Sequence, residues 1–140
     1  MNTDGESRSG WVGIAALLGM LAVGLGAIAS HALIDPKAVA SVEKAALYQL
    51  MHAVVLLFAS QLNGRFAQLC RWLFLVGIAL FSGSIEIKYL FALQNATVVA
   101  PAGGICLMLG WVALGVAGFR QRGANTATTS KHASPTMLKS

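Results

Sequence analysis

With 56% of its 140 residues hydrophobic and only 11% charged, the chain falls well below the charge of a soluble domain, where about a quarter of residues are charged. That excludes a water-exposed globule and leaves length for a single membrane domain. The net charge of +5, from ten Lys and Arg against five Asp and Glu, sits mostly beside hydrophobic runs, which points to membrane orientation and away from nucleic acid.

A helix that crosses a bilayer needs about 20 mostly apolar residues, because the hydrocarbon core is about 30 Å thick and each residue rises about 1.5 Å. Residues 1–10 are predicted to form an N-terminal tail, and the first span covers 11–32, with no charge from Trp11 to Ser30. Ala27-Ile28-Ala29 has the small-x-small look of a cleavage site. The preceding tail, however, sets Asp4 and Glu6 against Arg8, and the apolar run exceeds the usual h-region of about 7–15 residues. A retained helix is therefore expected.

Asp35-Pro36 is a helix start, a capping side chain followed by Pro at the first helical position. The second span is predicted over 45–62, interrupted by Gln49 and His52. The third, 72–93, is clean from Trp72 to Ile85 and then carries Glu86 and Lys88. The fourth, 98–119, has no charge and places Pro101 near its start, where a missing N–H is tolerated. Residues 120–140 are rich in Ser, Thr and Ala and are predicted to be a disordered tail.

Arg8, Arg65, Arg71, Arg120, Arg122, Lys131 and Lys139 all fall on one side of this topology, against Lys37 and Lys44 on the other. The positive-inside rule then puts both termini in the cytoplasm. The expected fold is an all-α, four-helix transmembrane bundle in the cell membrane. Cys70 falls at a membrane face and Cys106 within the bilayer, so no disulfide is expected.

Lipid tails are as apolar as Leu, so spanning helices associate through close backbone contact and interhelical hydrogen bonds. Small residues form stripes at Ala15, Gly19, Ala22, Gly26 and Ser30, at Ala79, Ser82 and Gly83, and at Gly103, Cys106, Gly110, Ala113 and Ala117. Of these, Gly19, Gly26, Gly83, Gly103 and Gly110 are the expected packing glycines. In span two, Ala45, Tyr48, Gln49, His52, Leu56, Ala59, Ser60 and Asn63 share an inward face, while Leu47, Leu50, Met51, Val54, Leu57 and Phe58 share a lipid face.

The residues able to carry chemistry are His31, Tyr48, Gln49, His52, Ser82 and Glu86, with Ser84 beside them. They lie in the outer half or the middle of the membrane and are expected to form one polar cluster. Intramembrane His and Glu serve proton relays and ion pathways. The alternative is a set of structural hydrogen bonds between helices, about 1 kcal/mol each. Lys88, two positions from Glu86, points away from it and is expected to snorkel to the interface. Trp11 and Trp72 fit an aromatic belt, and Trp111 is read as an interface or packing residue. No HExxH, GxSxG, CxxC or phosphate-binding glycine loop occurs. No catalytic residue, metal or cofactor is therefore expected.

The segment Gly26-Ala27-Ile28-Ala29-Ser30-His31-Ala32-Leu33 resembles the Gly-Ala-x-Gly-Ala-His-Gly-Leu motif of the DUF423 (UPF0382) family, which includes transmembrane protein 256. Tyr48-Gln49-Leu50-Met51-His52-Ala53 is similar to its Tyr-Gln-x-x-His-Ala motif, and Phe81-Ser82-Gly83-Ser84 and Pro101-Ala102-Gly103-Gly104 to its third- and fourth-helix motifs. The resemblance implies a small multi-pass membrane protein without an established biochemical role, and brings no catalytic residues with it. It draws attention to His31, Tyr48 and His52, whereas Glu86 and Lys88 depart from a usually apolar stretch. The function expected is non-enzymatic, by contact with lipid, with other membrane proteins or with a second copy. The alternative is a small transporter or proton-linked channel subunit using His52 and Glu86, and a third option is an enzyme at the outer surface using His31 and His52.

Overall fold

Five α-helices, one π turn and one 3-10 turn make up the regular structure of the computed structural model, which describes residues 3–93 and 95–132 and the side chains of 8–93 and 95–120. Helix α1 runs Thr3–Ala32. It takes in most of the segment predicted as a tail: no Pro interrupts it, and each turn added to an existing helix gains a hydrogen bond without a new nucleus.

Helix α2, Pro36–Ala59, starts where the capping signal placed it. The Asp35 carboxylate accepts from the N–H of Lys37 at 3.4 Å and of Ala38 at 3.0 Å. At 24 residues the helix is about 36 Å long, more than the hydrocarbon core needs, so the turns bearing Lys37, Glu43 and Lys44 extend to the interface. It ends short of the predicted residue 62. There the Ser60 hydroxyl donates to the Leu57 carbonyl at 2.6 Å, and Gly64, at φ 97°, supplies the left-handed residue of the turn.

Helix α3, Arg65–Ile78, continues through a π turn, Ala79–Gly83, into α4, Ser84–Leu90. This rod begins ahead of the predicted residue 72, because Arg71 is accommodated inside the helix and does not mark its edge. After α4 the chain passes Ala92 at φ 56° and a 3-10 turn, Ala96–Val99, into α5, Ala100–His132. Part of the predicted disordered tail is thus helical, as a continuation of a rigid span that meets no Pro. Residues 133–140 lie outside the described residues. Four helical stretches have the length and apolarity to cross a membrane: Arg8–Ala32, Pro36–Ala59, Arg65–Leu90 and Ala96–Arg120.

Helix α1 packs along α2, and α3 along α5, with α2 lying against α3 and α4 to join the pairs. The alternating directions bring Arg8, the turn after α2 and Arg120 to one end. Arg8 Nη2 donates to Asn63 Oδ1 at 2.8 Å, and the Arg120 guanidinium lies 4.4 Å from the centre of the Phe66 ring. Phe74, Leu56 and Ile78 are fully buried at the centre, with Trp11, Leu107 and Ala113 packed around them. Cys70, expected at a membrane face, is buried in this core; it and Cys106 are both free.

The inward and lipid faces of α2 divide as predicted at Ala45, Gln49, His52, Leu56, Ala59 and Ser60, which are buried, and at Leu47, Met51, Val54, Leu57 and Phe58, which are exposed. Tyr48 and Asn63, expected inward, are exposed, and Leu50, expected on the lipid face, is half-buried against Gly19 of α1. Glycine sets the approach of α3 to α5. A Cβ on Gly103 would run into the main chain of Leu80 and Phe81, and one on Gly110 would lie 3.0 Å from the Phe74 ring. Gly77, which the small-residue stripes omit, faces Leu107 so closely that a Cβ would lie 2.6 Å from its Cδ2. Gly19 and Gly26 sit at ordinary 3.9 Å contacts with Leu50 and Ala46. Gly83 has no neighbour within 4 Å, and Ala79 is exposed. The stripe drawn through Ala79, Ser82 and Gly83 assumes α periodicity, and the wider π turn breaks it.

Candidate functional site

His52 occupies the middle of α2 and is 7% exposed. Its Nδ1 lies 2.7 Å from the Tyr48 carbonyl. A carbonyl only accepts, so Nδ1 carries the proton and Nε2 is the acceptor. Trp111 on α5 satisfies that acceptor, its indole N–H donating to Nε2 at 3.4 Å. Both ring nitrogens are thereby committed within the protein.

Aromatic rings close around this imidazole. The Phe74 centroid is 5.7 Å away, and Trp111 stands edge-on to Phe74 at 5.7 Å. Tyr48 lies nearly parallel to His52 at 6.3 Å and meets Phe81 of the π turn edge-on at 5.4 Å. Aromatic pairs at such separations add about 0.5–1.5 kcal/mol beyond their buried area. The seam therefore ties α2, α3, the π turn and α5 together, with Tyr48, 42% exposed, at its lipid edge.

The other candidate residues do not join one network. Gln49, one turn from His52, donates to the Leu18 carbonyl of α1 at 2.9 Å. Ser84 bonds back to the Phe81 carbonyl at 3.0 Å. Ser82 and Glu86, 1% and 8% exposed, lie one turn apart, and the Ser82 hydroxyl and Glu86 Oε1 have no hydrogen-bond partner among the described residues. His31 is exposed at the end of α1 and makes no hydrogen bond among the described residues. Its neighbour Ser30 is the residue that reaches across, donating to Glu43 of α2 at 2.8 Å. Among the described residues no three His, Cys, Asp or Glu side chains converge as a metal site would require.

Three further features escape a reading by span. Trp111, at the centre of span four and 50% exposed on the bundle surface, carries an indole donor that finds no water at that depth and turns to a neighbouring helix for its partner, and that placement was the available signal. Arg71 is 6% exposed, sits 5.6 Å from the centre of the Trp11 ring and donates to Gln68 at 2.8 Å. A cavity of about 300 Å³ lies between α2, α4 and the 3-10 turn, bordered by Lys37, Ser41, Lys44, Phe81, Tyr89 and Thr97.

Four helices of spanning length, with polar groups turned inward on α2 and apolar ones outward, define a small multi-pass membrane protein. The chain belongs to the DUF423 family, whose model, "Protein of unknown function (DUF423)", matches residues 25–104. A UPF0382 membrane protein of Staphylococcus aureus is 34% identical over 116 residues, covering 79% of this chain and 95% of that relative. A UPF0382 membrane protein of Haemophilus influenzae is 30% identical over 124 residues, covering 82% and 98%. One from Bacillus subtilis is 32% identical over 112 residues, covering 74% and 91%. No solved structure matches the chain.

Proposed function

We propose that the protein is a non-enzymatic component of the cell membrane that acts by contact, with other membrane helices, a second copy of itself or lipid. The observation that carries this reading is the set of glycines the bundle leaves unused. Gly13 and Gly24 on α1 and Gly115 and Gly118 on α5 have no neighbour within 4 Å. A shallow apolar cavity runs along Leu114, Gly115, Gly118 and Phe119. In lipid, small residues let a second helix approach closely, and here they face outward while other glycines do the internal packing. The committed nitrogens of His52 support a structural role for that residue. Basic residues at the Arg8 and Arg120 end support a cytoplasmic location for both termini, and the bacterial relatives support the cell membrane. In-cell crosslinking tests the reading. A captured copy or partner that disappears in Gly115→Leu/Gly118→Leu is expected, and a clean monomer in the wild type refutes it.

A second reading, a small transporter or proton-linked channel subunit, draws support from the unpaired oxygens of Ser82 and Glu86. It requires flux in reconstituted vesicles that Glu86→Gln abolishes. Wild-type flux that survives both Glu86→Gln and His52→Ala rules it out.

A further inference from the structure

The end of the bundle that gathers Arg8, the turn after α2 and Arg120 holds two arginines that, among the described residues, are oriented by neutral groups. Arg8 Nη2 is held by the Asn63 side chain and Arg71 Nη2 by the Gln68 side chain, each at 2.8 Å. The Nε atoms of both are buried and have no partner among the described residues. Among those residues the ionisable neighbours of Arg71 are the Cys70 thiol and Arg8, and no carboxylate acts on it. The two arginines approach through Trp11, which lies one turn beyond Arg8 on α1 and takes the Arg71 guanidinium over its ring at 5.6 Å.

A guanidinium presents five N–H donors in a planar fork, and a buried cation needs a counter-charge. Here amide oxygens and an indole face fix the forks in place without neutralising them. The fork geometry matches the oxygens of a phosphate, which accepts two parallel N–H bonds. The depth is also right. Trp72, 51% exposed on α3, stands edge-on to the buried Trp11 at 5.2 Å and presents its indole outward, as a residue of an aromatic belt does. Leu69, Trp72 and Val76 form an exposed apolar strip on α3 beside Arg71, a surface along which acyl chains can lie. A soluble phosphate has no use for that strip, so the occupant is a lipid.

We propose that Arg8 and Arg71, positioned by Asn63, Gln68 and Trp11, bind the phosphate of an anionic phospholipid at this end of the bundle. The site rests on the contact reading above and specifies its lipid side.

The test is native mass spectrometry of the full chain, purified in detergent and offered phosphatidylglycerol, phosphatidylcholine or inorganic phosphate. The wild type retains phosphatidylglycerol over phosphatidylcholine by up to about 30-fold, as two arginines near an anionic headgroup predict. The preference falls to near unity in Arg8→Gln/Arg71→Gln and persists in Lys37→Gln/Lys44→Gln at the opposite end. If Arg71→Gln fails to fold, Arg8→Gln and Arg8→Lys decide: both lose most of the preference, because the Lys point charge does not replace the fork. An undiminished preference in the arginine variants overturns the proposal. So does inorganic phosphate that displaces the lipid completely. Loss of the crosslinked partner in Gly115→Leu/Gly118→Leu with the lipid preference intact bears on the helix-contact reading alone, so the two can fail separately.

Discussion

Replacing Gly103 by Ala puts a methyl group into the main chain of the π turn. The Cβ would lie 2.8 Å from the Leu80 carbonyl carbon and 2.9 Å from the Phe81 Cα, and closer still to the Phe81 nitrogen. Main-chain atoms have no rotamer to escape into, so α5 must move away from α3 along the whole seam. Overpacking typically costs about 1–3 kcal/mol, and with backbone as the obstacle the upper end applies. Ala is better than Gly in a helix by about 1 kcal/mol, which leaves a net loss near 2 kcal/mol, or about 30-fold in the unfolding equilibrium. Gly83→Ala is the control: with no neighbour within 4 Å it keeps only the helix-propensity gain and is expected to be neutral or stabilising. SDS titration of purified protein in mixed micelles, followed by circular dichroism, measures both. If Gly103→Ala unfolds within about 0.5 kcal/mol of wild type, or if the two variants rank in the opposite order, the close approach of α5 to the π turn is wrong.

Trp111→Phe removes the donor that satisfies His52 Nε2, and is expected to lose about 1 kcal/mol; nitrogen NMR of the imidazole should show the Nε2 signal moving while the Nδ1 proton stays in place. Glu86→Leu removes a buried carboxyl with an unpaired oxygen and is expected to raise stability by about 1–3 kcal/mol in the same SDS titration; a loss of stability would mean that the carboxylate has a partner inside the bundle. Ala92→Gly relieves a left-handed residue just past the end of α4, where glycine is the usual choice, and should stabilise by about 1 kcal/mol. No gain there would place Ala92 outside the left-handed region.

Much of the architecture is written in local chemistry. Asp35-Pro36 marks the start of α2 because capping and a fixed proline φ act within four residues. The inward placement of Gln49 and His52 follows from helical periodicity alone. What escapes a sequence reading depends on partners distant along the chain. Arg71 looks like a span boundary because a hydropathy window sees its charge and not the Trp11 ring on another helix. The π turn leaves no mark in Ala79-Leu80-Phe81-Ser82-Gly83, which reads as ordinary α-helix, so helical periodicity points to Gly83 where the close packing falls on Gly77. His31 drew attention through motif and position, yet it is exposed, while Ser30 beside it makes the contact to α2. The expected single polar cluster is instead dispersed: Gln49 and His52 pair with a carbonyl of α1 and the Trp111 indole of α5, Ser84 bonds back within its own rod, and the Ser82 hydroxyl and Glu86 Oε1 have no partner among the described residues.

The pairing of α1 with α2, and of α3 with α5, has a consequence for biogenesis. The chain emerges from the ribosome as two successive hairpins, each able to bury its own small-residue seam before the other exists. The connection between them is the short turn around Gly64, so the halves made as separate polypeptides retain most of the surfaces by which they recognise each other. The His52–Trp111 bond then becomes the latch between the halves, formed only when the second hairpin has docked on the first.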